Sequence, residues 1–340
     1  MAARRLLPLA VALSTLFGVV LFALPSDADE ADPADDPDEP GRVLQVSPGG
    51  EDPLGQALAD LHPGDTLIVH GGEYRERIRL VVQPGRSDAP IHVRAATGER
   101  PVIRGLLSLR GLSWWRIEGI NVTWDTINRH TEHMVKLIDG QDWSLTNAEL
   151  WGARSYAALL VTGNPVRFRI SELYVHDTVP SNGLNQDHLI YLNCGDGGGI
   201  VERNLLVGSP NGRAIKIGSY ELSDERVANI TVRYNTMVDN TGPSNIQLTY
   251  RASDIQIYRN IMLRPSENRP NVTAHELLGS QNVVRDNVGF GGIGVVETPV
   301  AGLVDGGGNR DVDPQLSGRE ADRPFEPAAD VAQNYGRWAG

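Results

Sequence analysis

The chain has 340 residues, with 37 Gly, 21 Pro and only 6% aromatic residues, a turn-rich composition that suits a β protein more readily than a helical one. Its formal charge is −12, but residues 1–40 hold eight acids and two arginines, which leaves 29 basic against 35 acidic residues in the body, or −6. A mildly acidic body argues against nucleic acid, and an anionic ligand would need a local basic patch.

At the N-terminus, Arg4 and Arg5 precede the apolar run Leu6 to Leu24. This reads as a secretory signal over 1–28, with Ser26-Asp27-Ala28 as a small-residue cleavage site, and the run is also long enough to be an uncleaved membrane anchor. The body is therefore expected to be a secreted or extracellular bacterial protein, bound to the membrane only if the anchor is retained. Residues 29–41 mix acids with Pro and Ala, a composition that cannot bury apolar surface and predicts a solvated linker. Cys194 is the only cysteine, so no intramolecular disulfide forms and stability falls to packing and the backbone. Taken alone, it reads as a small buried side chain.

A repeat then governs 42–316. An apolar residue, two polar residues, Asn and further apolar positions recur as Val201-Glu-Arg-Asn204-Leu, Val232-Arg-Tyr-Asn235-Thr, Ile257-Tyr-Arg-Asn260-Ile and Val284-Arg-Asp-Asn287-Val. Shorter copies begin at Ile117, Leu145 and Ile170. Their spacing of about 25 to 31 residues predicts stacked coils that keep their strands and vary their loops. The Asn residues are expected at sharp bends, where Asn tolerates the left-handed conformation, with the amide bonded to its own turn or to the stacked Asn of the next coil.

A second strand type lies between these copies: Met134-Val-Lys-Leu-Ile, Ala158-Leu-Leu-Val, Leu189-Ile-Tyr-Leu-Asn193, Ala214-Ile-Lys-Ile-Gly218 and Asn245-Ile-Gln-Leu-Thr249. With a period of two, Val135/Leu137, Ile190/Leu192, Ile215/Ile217 and Ile246/Leu248 point inward. The whole is expected to be an all-β, single-stranded right-handed parallel β-helix, monomeric, with residues 317–340 as a loose tail or a cap on its C-terminal end.

The block Val43-Leu-Gln-Val-Ser-Pro-Gly-Gly, Gln56-Ala-Leu-Ala-Asp-Leu, Pro63-Gly-Asp-Thr-Leu and Gly72-Glu-Tyr74 resembles the start of right-handed β-helix proteins of the pectate lyase-like superfamily. Pro90-Ile-His-Val-Arg-Ala, Val102-Ile-Arg-Gly and Trp115-Arg-Ile-Glu-Gly-Ile resemble the first coils of chondroitinase B-like, alginate-lyase-like and lysine-dependent pectate lyases. The resemblance covers about residues 43–316 and implies a short helix, Pro53 to Leu61 here, capping the first coil. It implies the fold more strongly than any one chemistry, because the superfamily holds lyases, hydrolases, epimerases and proteins without activity.

Chemistry is sought on the outward column. The chain uses Arg 29 times and Lys only at Lys136 and Lys216, both in that column. An ammonium can lose its proton when its pKa is depressed, whereas a guanidinium stays charged, so Lys216 suits a general base. Stacking predicts the row Lys136, Leu160, Tyr191, Lys216, Gln247, with neighbours about 4.8 Å apart. Flanking rows hold His133, His188 and Arg213 on one side and Asn193 and Thr249 on the other. The candidate catalytic residues are Lys216, Arg213, His188 and Tyr191, and the candidate substrate-binding residues are Asn193, Gln247, Thr249 and Arg251. The connections 176–186 and 218–227 are expected to wall a groove suited to a polymer.

In the lyases the sequence resembles, elimination begins with removal of the proton next to a uronate carboxyl group. The resemblance thus implies an acidic polysaccharide as partner and a Lys or Arg that takes this proton; in the outward column Lys216 would be the base and Tyr191 or His188 the acid. Ca²⁺ is a possible cofactor, for which Asp187 and Asp196, with Asp177, are the available oxygen ligands. The acidic cluster of the lysine-dependent pectate lyases is not found, nor the Asn and paired Glu that bind metal in chondroitinase B-like enzymes. A glycoside hydrolase and a non-catalytic carbohydrate-binding module stay open, and Trp114, Trp115, Trp124, Trp143 and Trp151 serve either sugar stacking or packing.

Overall fold

The computed structural model describes residues 41–129, 131–180, 186–219, 225–266 and 268–340. The expected signal or anchor over 1–28 and the linker up to residue 40 lie outside the described residues, as do parts of both connections expected to wall the groove.

Strands here are short, most of them three to five residues, and each can bury only one or two side chains. Such pieces gain a core only by stacking on copies of themselves, and they do so in three parallel sheets of eleven, ten and eight strands. One coil takes the chain through each sheet in turn, as in Ala157–Gly163, Phe168–Ser171 and Tyr174–His176, before His188–Cys194 begins the next. Every strand pairs in parallel with its equivalents one coil away, so the chain is a right-handed parallel β-helix. The inward positions read from the period of two, Val135, Leu137, Ile190, Leu192, Ile215, Ile217, Ile246 and Leu248, are all fully buried. Each contributes about 1.5–3 kcal/mol by leaving water.

The corner between the eleven- and ten-strand sheets carries the Asn ladder. Asn204, Asn235, Asn260 and Asn287 are fully buried; the last three each accept the backbone N–H and the amide of the Asn before them through Oδ1, at 2.8–3.0 Å, and Asn204 accepts the Leu173 N–H at 2.9 Å. The left-handed backbone falls one residue earlier than expected: Arg203, Tyr234, Arg259 and Asp286 have φ of 50–59°. The bend precedes the Asn, whose amide then fills the space inside it. A second stack stands at the entry to the eight-strand sheet, where Asn240 Nδ2 donates to Asn245 (3.0 Å) and Asn245 Nδ2 to Asn271 (2.8 Å).

The N-terminal end is closed by the helix Pro53–Ala59, which buries Leu54 and Leu58 over the first coils. Glu76 secures it by accepting the N–H groups of Leu54 and Gly55 at 3.0 and 2.8 Å. Trp115 and Trp143 are core residues, the latter stacked on Phe168 at 5.1 Å, which removes both from sugar binding.

Residues 317–340 are neither a loose tail nor an end cap. They return along the outer face of the ten-strand sheet, where Phe325, Ala332 and Tyr335 cover Leu205, Val207, Val238, Ile261, Leu263 and Val288. Arg337 donates to the Leu173 carbonyl (3.0 Å), Arg203 donates to the Ala339 carbonyl (2.6 Å), and Arg319 grips Asp177. The segment is a strap laid along the side of the solenoid.

Candidate active site

The eight-strand sheet presents the outward column in the expected register. Lys136 pairs with Leu160, Leu160 with Tyr191, Tyr191 with Lys216 and Lys216 with Gln247. Ile215 and Ile217 anchor Lys216 by pointing inward on either side of it, so its stem must leave the stack.

Lys216 is half-buried, and its Nζ lies 4.6 Å from the centre of the Tyr191 ring. Burial, then the charge of Arg213, pushes its ammonium down to about 8. No carboxylate acts on it among the described residues. Tyr191 moves the other way: burial, then Tyr250, pushes its phenol up to about 12, so it keeps its proton at neutral pH. The result is an amine that can be unprotonated beside a hydroxyl that can donate, a pairing set by environment alone.

His188 and Arg213 stand one layer deeper, only 2% and 4% exposed. His188 Nδ1 accepts the Arg213 backbone N–H at 3.1 Å, which leaves its proton on Nε2, and its ring meets Tyr191 edge-on at 5.7 Å. Burial, with the charges of Lys216, Arg213 and His133, holds His188 neutral, well below its usual range. A neutral, enclosed imidazole is a poor proton donor, so of the two expected acids Tyr191 is the one the geometry favours. Arg213 is lowered to about 10 by burial and by Arg269, and still stays charged. Arg269, exposed in the connection before Val272, was not picked out in the sequence because connections of unequal length carry no register.

The remaining candidates divide. Gln247 is one rung from Lys216 and 9% exposed; Asn193 is half-buried, with an Oδ1 that no described group meets. Thr249 is 1% exposed and its hydroxyl faces the Ile217 and Ser219 carbonyls at 3.4 and 3.3 Å, which makes it part of the scaffold rather than the rim. Arg251 is half-buried in the turn beyond that strand.

The oxygen ligands proposed for Ca²⁺ are not brought together. Asp187 is fully buried just before the strand His188–Cys194, and Asp196 is exposed just after its other end. Asp177 is held by His176 at 2.9 Å and by Arg319 on another sheet. Among the described residues no group of three His, Cys, Asp or Glu side chains is placed to hold a metal ion, so the donor set does not fit Ca²⁺.

Three stacked parallel sheets, an Asn corner ladder and a capping helix define a right-handed parallel β-helix. The fold is similar to that of jun a 1, the major allergen from cedar pollen, at 13% identity over 87% of this chain and 88% of that one, with a TM-score of 0.50. Pectate lyase Pel9A is 12% identical over 83% and 84% of the two chains, with a TM-score of 0.47. An alginate lyase from Paenibacillus sp. strain FPU-7 is 14% identical over 76% and 97%, with a TM-score of 0.44. The likeness to the cedar-pollen protein is one of fold alone and leaves the chemistry to the site. In sequence, no family model and no curated protein matches the chain.

Proposed function

We propose that this is an exported polysaccharide lyase that cleaves an acidic, uronate-containing polysaccharide by β-elimination. The observation that carries the reading is the half-buried Lys216 amine, lowered to about 8, against a Tyr191 phenol raised to about 12.

In the proposed step the Lys216 amine removes the proton from the carbon next to the uronate carboxylate. The electron pair released forms a double bond to the neighbouring carbon as the glycosidic oxygen departs, and Tyr191 gives that oxygen its proton. The products are a chain ending in an unsaturated uronate and one ending in a hydroxyl. The ammonium and phenolate then restore each other through water. Proton removal requires the carboxylate charge to be offset; the Gln247 amide one rung from Lys216, the Arg213 guanidinium whose charge acts on it, and the Asn193 amide on the neighbouring strand would do so. Asp187 and Asp196, at opposite ends of one strand, do not form the carboxylate pair, about 5–9.5 Å apart, that a glycoside hydrolase needs.

The burial of His188 and Arg213 favours one second reading, a non-catalytic module that binds the same polymers. Incubation with pectate, alginate and glycosaminoglycans, read by the ultraviolet absorbance of unsaturated ends, separates the two. A lyase gives absorbance that Lys216→Arg lowers about 10²–10⁴-fold, since guanidinium cannot serve as the base. Folded protein that binds a uronate polymer without producing absorbance is the module instead.

A further inference from the structure

A cleft opens on the same sheet, lined by Arg79, Ser108, Arg129, Glu132, His133 and Lys136. Arg79, Ser108 and Lys136 occupy successive rungs of the column that later carries Tyr191 and Lys216. The only carboxylate in its lining, Glu132, is already bound by Arg77 and Arg79 and accepts the Arg129 N–H at 2.8 Å. Arg110, the next cation, is paired with Asp139 at 3.0 Å. That leaves Lys136 without a carboxylate partner among the described residues, its ammonium disfavoured by burial and by Arg110 and Arg79. Beside it, His133 is held neutral, at about 4, by burial and the charge of Lys136, and its Nδ1 is buried with no hydrogen-bond partner. An ammonium lacking a carboxylate counter-ion among the described residues, with a hydroxyl one rung away, makes a site for an anion with acceptor oxygens.

Lys136 and Lys216 are three rungs apart, which is about 14 Å along the solenoid axis. The rungs between them carry Leu160, which is buried, and Tyr191, neither of them charged at neutral pH. We propose that a single acidic glycan chain lies along this sheet with one anionic group at Lys216 and another at Lys136, so that the protein selects polymers over short fragments. The inference rests on the reading of this face as an acidic-glycan site.

The test measures binding by calorimetry in a Lys216→Arg background, which keeps the charge and lacks the base. The probes are polygalacturonate and polymannuronate, each as disaccharide and as a chain long enough to span both lysines. Affinity is expected to rise with length, and Lys136→Gln is expected to cut long-chain affinity about tenfold, the worth of one charge-assisted hydrogen bond. Lys136→Arg should retain the rise. Affinity independent of length, or a Lys136→Gln loss equal for short and long probes, overturns the proposal. Absorbance assays on the wild type report separately on elimination, so either reading can fail while the other stands.

Discussion

At the scale of the residue, the account turns on an amine that its surroundings discharge. The chain holds just two lysines, so isotope-labelled lysine gives a two-signal spectrum in which each side chain can be titrated. Lys216 is expected to titrate at about 8 and Lys136 below its ordinary value. The same shift has a consequence for stability. Because the folded pKa lies below the unfolded value of about 10.4, the unfolded state binds more protons between the two, and stability rises with pH through that window. The raised Tyr191 acts in the opposite sense, but only above about 10. Denaturant melts from pH 8 to 10 should show the rise in the wild type and a flatter line in Lys216→Met. The column holding Tyr191, Lys216 and Gln247 was legible in the sequence because side chains alternate and coils repeat. The depth of His188 and Arg213 was not, since the alternation of side chains says which way they point and not how far the outward face is covered.

At the scale of the element, the unit of construction is the strand plus its corner. Asn235 accepts from the Asn204 backbone and amide and donates to the Val201 and Arg233 carbonyls and to Asn260, all within 3.0 Å. Asn235→Ala orphans several buried groups at once and is expected to cost about 3 kcal/mol in denaturant melts, without change to the spectroscopic signature of the fold. This ladder was readable because Asn recurs between apolar positions. The Asn240, Asn245 and Asn271 stack escaped notice, since two of its members lie in one connection and no apolar repeat frames them.

At the scale of the whole molecule, the C-terminal strap covers one side of the solenoid and leaves the site-bearing sheet on another. Removing residues 317–340 uncovers Leu205, Val207, Val238, Ile261, Leu263 and Val288. The truncated protein should melt at a lower temperature and bind a hydrophobic dye, and Phe325→Ala alone should cost about 3 kcal/mol. A signal for the strap was present in the strands Leu205–Val207 and Ile261–Leu263, apolar on both faces and so in need of cover on both. The tail gave no matching signal, because its contacting side chains follow no period. The catalytic account is tested most directly by the pH dependence of unsaturated-end formation on uronate polymers. It predicts a rate that climbs with pH to a midpoint of about 8 and an ascending limb that disappears in Lys216→Arg. A rate that is zero on every such polymer, or a limb unchanged in Lys216→Arg, contradicts it.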